Sequence, residues 1–254
     1  MKHKKRIAII DADSIAYKAG WSDNYMYMKS CVDSKICQIM LSLDTNKFEI
    51  YIEEWREDKK NFRKNFFKLS NDRVKHPGYK GNRISRGDKP KYLDKAREYL
   101  RKRYNAKVVM EYESEDIVIR RAKEILEEDN DMVPIVCYID KDLLQHPFLF
   151  YNYDKCELVH ITPEDAILRR YRQVCTGDAT DNIPGIAGVG KVTAAKTVSN
   201  GDTAIIDTVL LFQYHGLSYD YFIEQYNLIY IRWEDHINLV YPISKKEWDI
   251  CSGE

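Results

Sequence analysis

The sequence predicts an α/β fold with a mostly parallel central sheet flanked by helices. Three observations carry this. Short β-branched apolar runs alternate with segments of helical periodicity, several of those runs end in acids, and one long basic segment breaks the alternation. In open sheets of this kind, ligands bind beyond the carboxyl ends of the strands.

RIAII (6–10) is a buried strand that delivers DADS at its carboxyl end, and FEIYIEEW (48–55) and AKVVMEY (106–112) are the next strands. ESEDIVIRRAKEILEE (113–128) is a helix: its apolar positions Ile117, Ile119, Ala122, Ile125 and Leu126 fit helical spacing, with acids in the first turn. VPIVCYID (133–140) is a further strand ending in an acid, with KDLLQ after it. Thr162 and Pro163 open a helix through 175 as N-cap and first helical residue. A glycine segment and more helices follow, and the tract 226–248 has strand-like aromatic and aliphatic stretches. One compact domain is expected, with a core over 1–160 and a second region over 161–254.

Hydrophobic residues at 44% and charged residues at 31% describe a soluble globular chain and exclude a disordered one. No apolar run approaches the ~20 residues of a membrane helix, and the start lacks a signal-peptide pattern, so a cytoplasmic location is expected. The six cysteines show no CxxC spacing and read as reduced, mostly packed thiols. Formal net charge is zero, yet Arg56 to Lys107 holds 19 Lys or Arg against 6 Asp or Glu, 13 net positive charges. RKNFFK, GYKGNR and REYLRKRY mix aromatics with cations there, which suits a single-stranded polyanion better than a merely solvated basic helix. The middle of that segment is rich in Gly, Pro, Asn and Lys, so the stretch from about 56 to 104 reads as an insertion over the sheet's active edge.

Acids follow strands or open helices at Asp11 and Asp13, at Glu113, Glu115 and Asp116, at Asp140 and Asp142, and at Asp178 and Asp181. A lone acidic pair is more simply a cap or a turn. Four clusters point instead to divalent cations held by oxygen, and without a His or Cys cluster Mg²⁺ or Mn²⁺ fits better than zinc. Two such ions activate water and stabilise the leaving oxygen of a phosphodiester. In IPGIAGVGK, Gly185, Gly188 and Gly190 suit a tight turn with outward amides before a helix at Lys191, an anion site for a DNA phosphate. The GIAGVGK spacing, with no strand leading into it, is not a dinucleotide fingerprint.

GDATDNIPGIAGVGKVTAAK resembles the helix-three-turn-helix DNA-binding signature of the 5′ nuclease family: flap endonucleases, the 5′ nuclease domain of bacterial DNA polymerase I and phage 5′→3′ exonucleases. IIDADSIAY, PGYKGNR, ESEDIV and YIDKDLLQ fall in the family's order, so the match runs from about 6 to 198, and it is most similar to the phage exonucleases. The resemblance implies that Asp11, Glu115, Asp116 and Asp140 surround one metal and that Asp142, Asp178 and Asp181 build the second site, with Glu113 supporting. It implies that the 56–104 insertion is the family's basic arch, that Lys80 and Arg83 contact the scissile phosphate, and that Tyr79 stacks on a base. It further implies that Gly185, Gly188 and Gly190 hold the duplex backbone, often with a K⁺ ion. Arg63 and Lys191 complete the expected DNA-binding set. Glu115 stands where the family usually has Asp. The family's acid after the second strand falls on Asp58 or Glu54, with Asp58 favoured.

The expected activity is two-metal hydrolysis of DNA, or of RNA primers on DNA, from a 5′ end or at a flap, in phage DNA replication. A monomer is expected, with a single-strand-binding protein or a polymerase as company. The alternatives are a noncatalytic branched-DNA-binding protein, which would ignore Mg²⁺, and an endonuclease for internal RNA sites, which would not need the glycine turn.

Overall fold

The computed structural model describes residues 5–53, 62–73, 78–82, 88–110, 112–234 and 236–252. The strands are β1 (Lys5–Asp11), β2 (Phe48–Glu53), β3 (Lys107–Val109), β4 (Met132–Tyr138), β5 (Leu149–Asn152) and β6 (Glu157–His160). The α-helices are α1 (Asp13–Gly20), α2 (Tyr25–Ser42), α3 (Arg63–Phe66), α4 (Leu93–Tyr104), α5 (Ser114–Glu128), α6 (Pro163–Thr176), α7 (Lys191–Thr197), α8 (Ala204–Tyr214), α9 (Tyr219–Ile229) and α10 (Lys245–Ser252). Short 3₁₀ turns cover Leu69–Arg73 and Lys141–Gln145. Two compact units result. The first comprises Met1–Lys59, Gly87–Ile161 and Ile231–Glu234, and the second Lys60–Arg86, Thr162–Tyr230 and Asp235–Glu254.

In the first unit, the described strands form one six-stranded sheet in the order β3-β2-β1-β4-β5-β6. All neighbours pair parallel except β5 with β6. Ile10 of β1 sits in register with Ile50 of β2 on one side and Cys137 of β4 on the other. The chain thus leaves β1 toward β2 and β3 and returns to its opposite side at β4. This reversal makes the carboxyl ends of β1 and β4 the topological switch point, where α/β sheets place ligands.

The central strands are buried on both faces, which explains their unbroken apolar runs. Ala8, Ile10, Ile50, Ile52, Ile135 and Cys137 pack with α1, α2 and α4 through Ile15, Ala16, Val32, Ile36, Ala96 and Leu100. Ile9 and Val136 point to the opposite face and are equally buried, and α5 packs against β1, β2 and β4. The helix α4 lies inside the expected 56–104 insertion, yet it belongs to this unit and buries Ala96 and Leu100. The charge run thus extends into a helix of the sheet unit, because charge marks only the solvent face of an amphipathic helix.

The second unit is helical. The helix α6 packs with α7, α8 and α9, and α10 with α8. The tract 226–248 is not strand-like: its start closes α9, Tyr230 to Trp233 runs without strand pairing, and α10 begins at Lys245. From Tyr221 to Ile229 every residue of α9 is buried, so its polar residues Glu224, Gln225 and Asn227 bond within the protein and mark no solvent face. Among the described residues no helix is long and apolar enough to cross a membrane.

Candidate metal centre and nucleic-acid interface

In the first unit, β1 carries Asp11 to the sheet's carboxyl edge, and Asp13 follows as the first residue of α1. Ser114, at the start of α5, donates its hydroxyl to Asp11 Oδ1 at 2.9 Å and its amide to Glu53 Oε1 at 3.1 Å. The Glu53 amide in turn donates to Asp13 Oδ2 at 2.7 Å. Three carboxylates from β1, α1 and β2 are thereby tied into one network. Arg97 of α4 neutralises part of it, donating to Asp13 Oδ1 from Nη2 at 2.8 Å and Nε at 3.1 Å. Burial, then the charges of Asp13 and Glu53, push the Asp11 carboxyl up to about 7, against the hydrogen bond from Ser114.

The acids opening α5 have local duties as well. Glu113 and Asp116 form a capping box, in which the Glu113 amide donates to Asp116 Oδ2 at 3.3 Å. Asp116 is fully buried, and its Oδ1 accepts the Arg232 amide at 2.8 Å. Glu115 is half-buried. Asp140 lies exposed two residues past β4 and caps the following 3₁₀ turn by accepting the Asp142 amide at 3.1 Å.

In the second unit, Asp178 and Asp181 sit in the turn after α6. Asp178 Oδ1 accepts the Thr180 amide at 2.6 Å, and Asp178 and Ile183 exchange backbone hydrogen bonds at 2.8 Å. The loop is held shut by glycines. Gly177 and Gly185 have φ of +66° and +60°, and a Cβ on Gly185 would stand 2.3 Å from the Gly177 nitrogen. Gly188 has φ +82° with open space around it, and Gly190 caps α7, whose first residue Lys191 is exposed.

Residues 78–82 dock on this same turn. The Lys80 amide donates to the Asp181 carbonyl at 2.8 Å, Asn182 Nδ2 to the Gly78 carbonyl at 2.9 Å, and Asn82 Nδ2 to the Ala179 carbonyl at 2.7 Å. Tyr79 Oη donates to Asp181 Oδ2 at 3.0 Å, and Lys80 Nζ lies 3.6 Å from the same oxygen. Lys80 holds φ +58°, a left-handed conformation that non-glycine residues rarely adopt. The basic motif and the GDATDN acids, almost a hundred residues apart, thus meet in space.

Three expectations need correction. Arg63 was expected at the strand-binding surface, yet it is wholly buried and donates Nη2 to the Tyr230 carbonyl at 2.8 Å. Its aliphatic stem and fork serve packing, a use of arginine that charge counting cannot detect. Tyr79, expected to stack on a base, is 3% exposed and has its hydroxyl engaged by Asp181. Gly185 does not offer an outward amide, because its N–H goes to Gln225 Oε1 at 3.0 Å. Asp58, Glu54 and Arg83 lie outside the described residues. Sequence reasoning passed over Glu53, Ser114 and Arg97. The signal for Glu53 was its place as the last residue of β2, beside the strand that ends in Asp11.

The donor chemistry suits a hard divalent cation: the groups around Asp11 offer oxygen, and carboxylates crowded enough to hold a proton near neutrality gain from a positive charge. Among the described residues, however, no three His, Cys, Asp or Glu side chains converge closely enough to grip an ion.

No protein-family model matches the sequence, and no curated protein does. Solved structures do. The bacteriophage T5 flap endonuclease, in a pseudo-enzyme-product complex with DNA and metal ions, is similar over 89% of both chains at 16% identity, with a TM-score of 0.65. The T5 5′-exonuclease with bound zinc matches over the same shares at 18% identity and a TM-score of 0.66. The chain therefore shares the fold of these T5 structures over most of its length.

Proposed function

We propose that the protein is a divalent-metal-dependent 5′ nuclease that hydrolyses phosphodiester bonds of DNA, or of RNA primers on DNA, from 5′ ends, nicks or flaps. The observation that carries this reading is the acidic network at the carboxyl edge of the sheet, where burial and neighbouring acids hold Asp11 near neutrality. A purely structural acid at that position costs stability and returns nothing.

Asp11, Glu115, Asp116 and Asp140 would hold one cation and Asp178 and Asp181 serve a second, and Mg²⁺ or Mn²⁺ so bound supplies an activated water and neutralises charge on the phosphate. The chain's own residues do the rest. Ser114 and Arg97 orient Asp11 and Asp13. Lys80, held at the GDATDN turn, is aimed at a phosphate that displaces it from Asp181. Gly188, Gly190 and Lys191 offer amides and a cation to the duplex backbone, so binding is insensitive to sequence and sensitive to salt. The printed descriptions of the T5 proteins, with DNA and metal ions, support this reading. It extends to a monomeric enzyme of phage DNA replication in the host cytoplasm, working beside a single-strand-binding protein or polymerase, with K⁺ at the glycine turn.

The test is cleavage of a 5′-labelled flap and a nicked duplex with Mg²⁺. Wild type is expected to release short 5′ products, and Asp140→Asn and Lys80→Ala to suppress cleavage by about 10²-fold or more. Binding of branched DNA with no cleavage in Mg²⁺ or Mn²⁺ would replace the enzyme by a binding module.

A further inference from the structure

Glu224 and Gln225 lie in the middle of α9, and both are buried, the glutamine completely. A buried acid beside a buried amide is tolerated only when its polar atoms are bonded. Glu224 Oε2 accepts the amides of Lys68 at 2.8 Å and Leu69 at 2.5 Å, and Oε1 accepts the Ser70 amide at 2.8 Å and the Ser70 hydroxyl. Three successive amides converge on one carboxylate, at the opening of the 3₁₀ turn that continues to Arg73.

Gln225 continues the chain of bonds. Its Nε2 donates to Ser70 Oγ at 2.6 Å, and its Oε1 accepts the Gly185 amide at 3.0 Å. Ser70 Oγ donates to Glu224 while accepting from Gln225, so its single proton and a lone pair are both used. Tyr221, one turn earlier on α9, donates its hydroxyl to the Gly185 carbonyl at 2.9 Å, and its ring lies under the Arg73 guanidinium at 4.6 Å. One face of α9 therefore grips the basic segment at residues 68–73 and the glycine turn at Gly185. Gly185 is itself pressed against Gly177, which precedes Asp178.

We infer that Glu224 and Gln225 are positioning residues that fix the basic segment and the glycine turn at one spacing, so that a single strand and its adjoining duplex are bound together. The inference rests on the proposed 5′ nuclease reading. Two contacts held at a fixed spacing give more affinity for a molecule that spans both than for one that reaches a single contact. Nothing in a merely structural role produces that selectivity.

The experiment measures binding, in EDTA so that nothing is cut, of a DNA duplex with a 5′ single-stranded flap and of the blunt duplex alone. Wild type is expected to favour the flapped molecule by at least about tenfold. Gln225→Met, which removes both relay bonds at similar volume, and Ser70→Ala, which adds no volume, are each expected to erase most of that advantage while blunt-duplex affinity stays within about twofold. Melting temperatures establish that the variants are folded, and Ser70→Ala decides if Gln225→Met is not. Variants that keep the full advantage, or that lose affinity for both molecules alike, overturn the inference. A wild type that cleaves flaps with Mg²⁺ but shows no flap advantage overturns it while leaving the nuclease reading intact. A wild type that neither cleaves nor discriminates removes both.

Discussion

Asp11→Asn is the most informative single change, because it separates the cost of the acidic network from its use. Asp11 is buried and its carboxyl stands at about 7 against an ordinary 3.8. Between those two pH values the folded protein binds a proton that the unfolded chain does not, so stability falls as pH rises through that window. Below about 3.8 the site contributes nothing, and above about 7 the penalty is complete, at most roughly 4 kcal/mol. Asparagine removes it and keeps the Oδ1 acceptor used by Ser114. Its new amide still needs a partner, which offsets part of the gain and leaves about 2 kcal/mol. For a chain of this size that is a melting temperature higher by roughly 4–8 °C at pH 8 in EDTA, turning into a deficit near pH 4, where the charge penalty is gone and the cost of the amide remains. Mg²⁺ should then stabilise the wild type and not the variant. Scanning calorimetry or fluorescence melts at the two pH values suffice. An Asn variant that is less stable than wild type at pH 8, or equally more stable at both pH values, refutes the reasoning.

Further outcomes follow from the same geometry. Gly185→Ala should cost at least about 3 kcal/mol in urea unfolding, since its Cβ meets Gly177 backbone at 2.3 Å. Gly188→Ala, equally left-handed but in open space, should cost only about 1 kcal/mol, and equal costs would deny the packing argument. Arg97→Ala should destabilise the protein in urea unfolding by about 1 kcal/mol at pH 8 by leaving Asp13 without its guanidinium. Burial pushes the Cys137 thiol far up and that of Cys175 up to about 12. In native protein a thiol reagent should therefore modify exposed Cys37 and Cys156 quickly and reach those two only on unfolding.

The sequence alone determined the architecture wherever one periodicity dominated. The runs at 6–10, 48–53 and 133–138 are strands because their β-branched residues are buried on both faces, and 114–128 is a helix because its apolar positions recur at helical spacing. Acids at strand ends were equally readable, since the parallel sheet puts those ends on one edge. Where local signals cancelled, reading failed. The helix α9 is buried from Tyr221 to Ile229, so its polar residues mark no solvent face, β5 and β6 are only four residues long, and α4 looked like part of an insertion because its charges outnumber its two buried residues.

What only the tertiary structure decided are the partners. Arg63 and Tyr79 look like surface ligands for a nucleic acid in a basic, aromatic segment, yet both are buried and bonded to residues more than a hundred positions away. Glu53, Ser114 and Arg97 join the acidic network through contacts spanning 40 to 103 positions, as Glu224 and Gln225 join the basic segment to the glycine turn. A residue's type and its neighbours along the chain set its propensity and charge. Whether a cation packs, pairs with an acid or waits for a phosphate depends on which distant groups folding brings within about 3 Å, and on how much water is left around them.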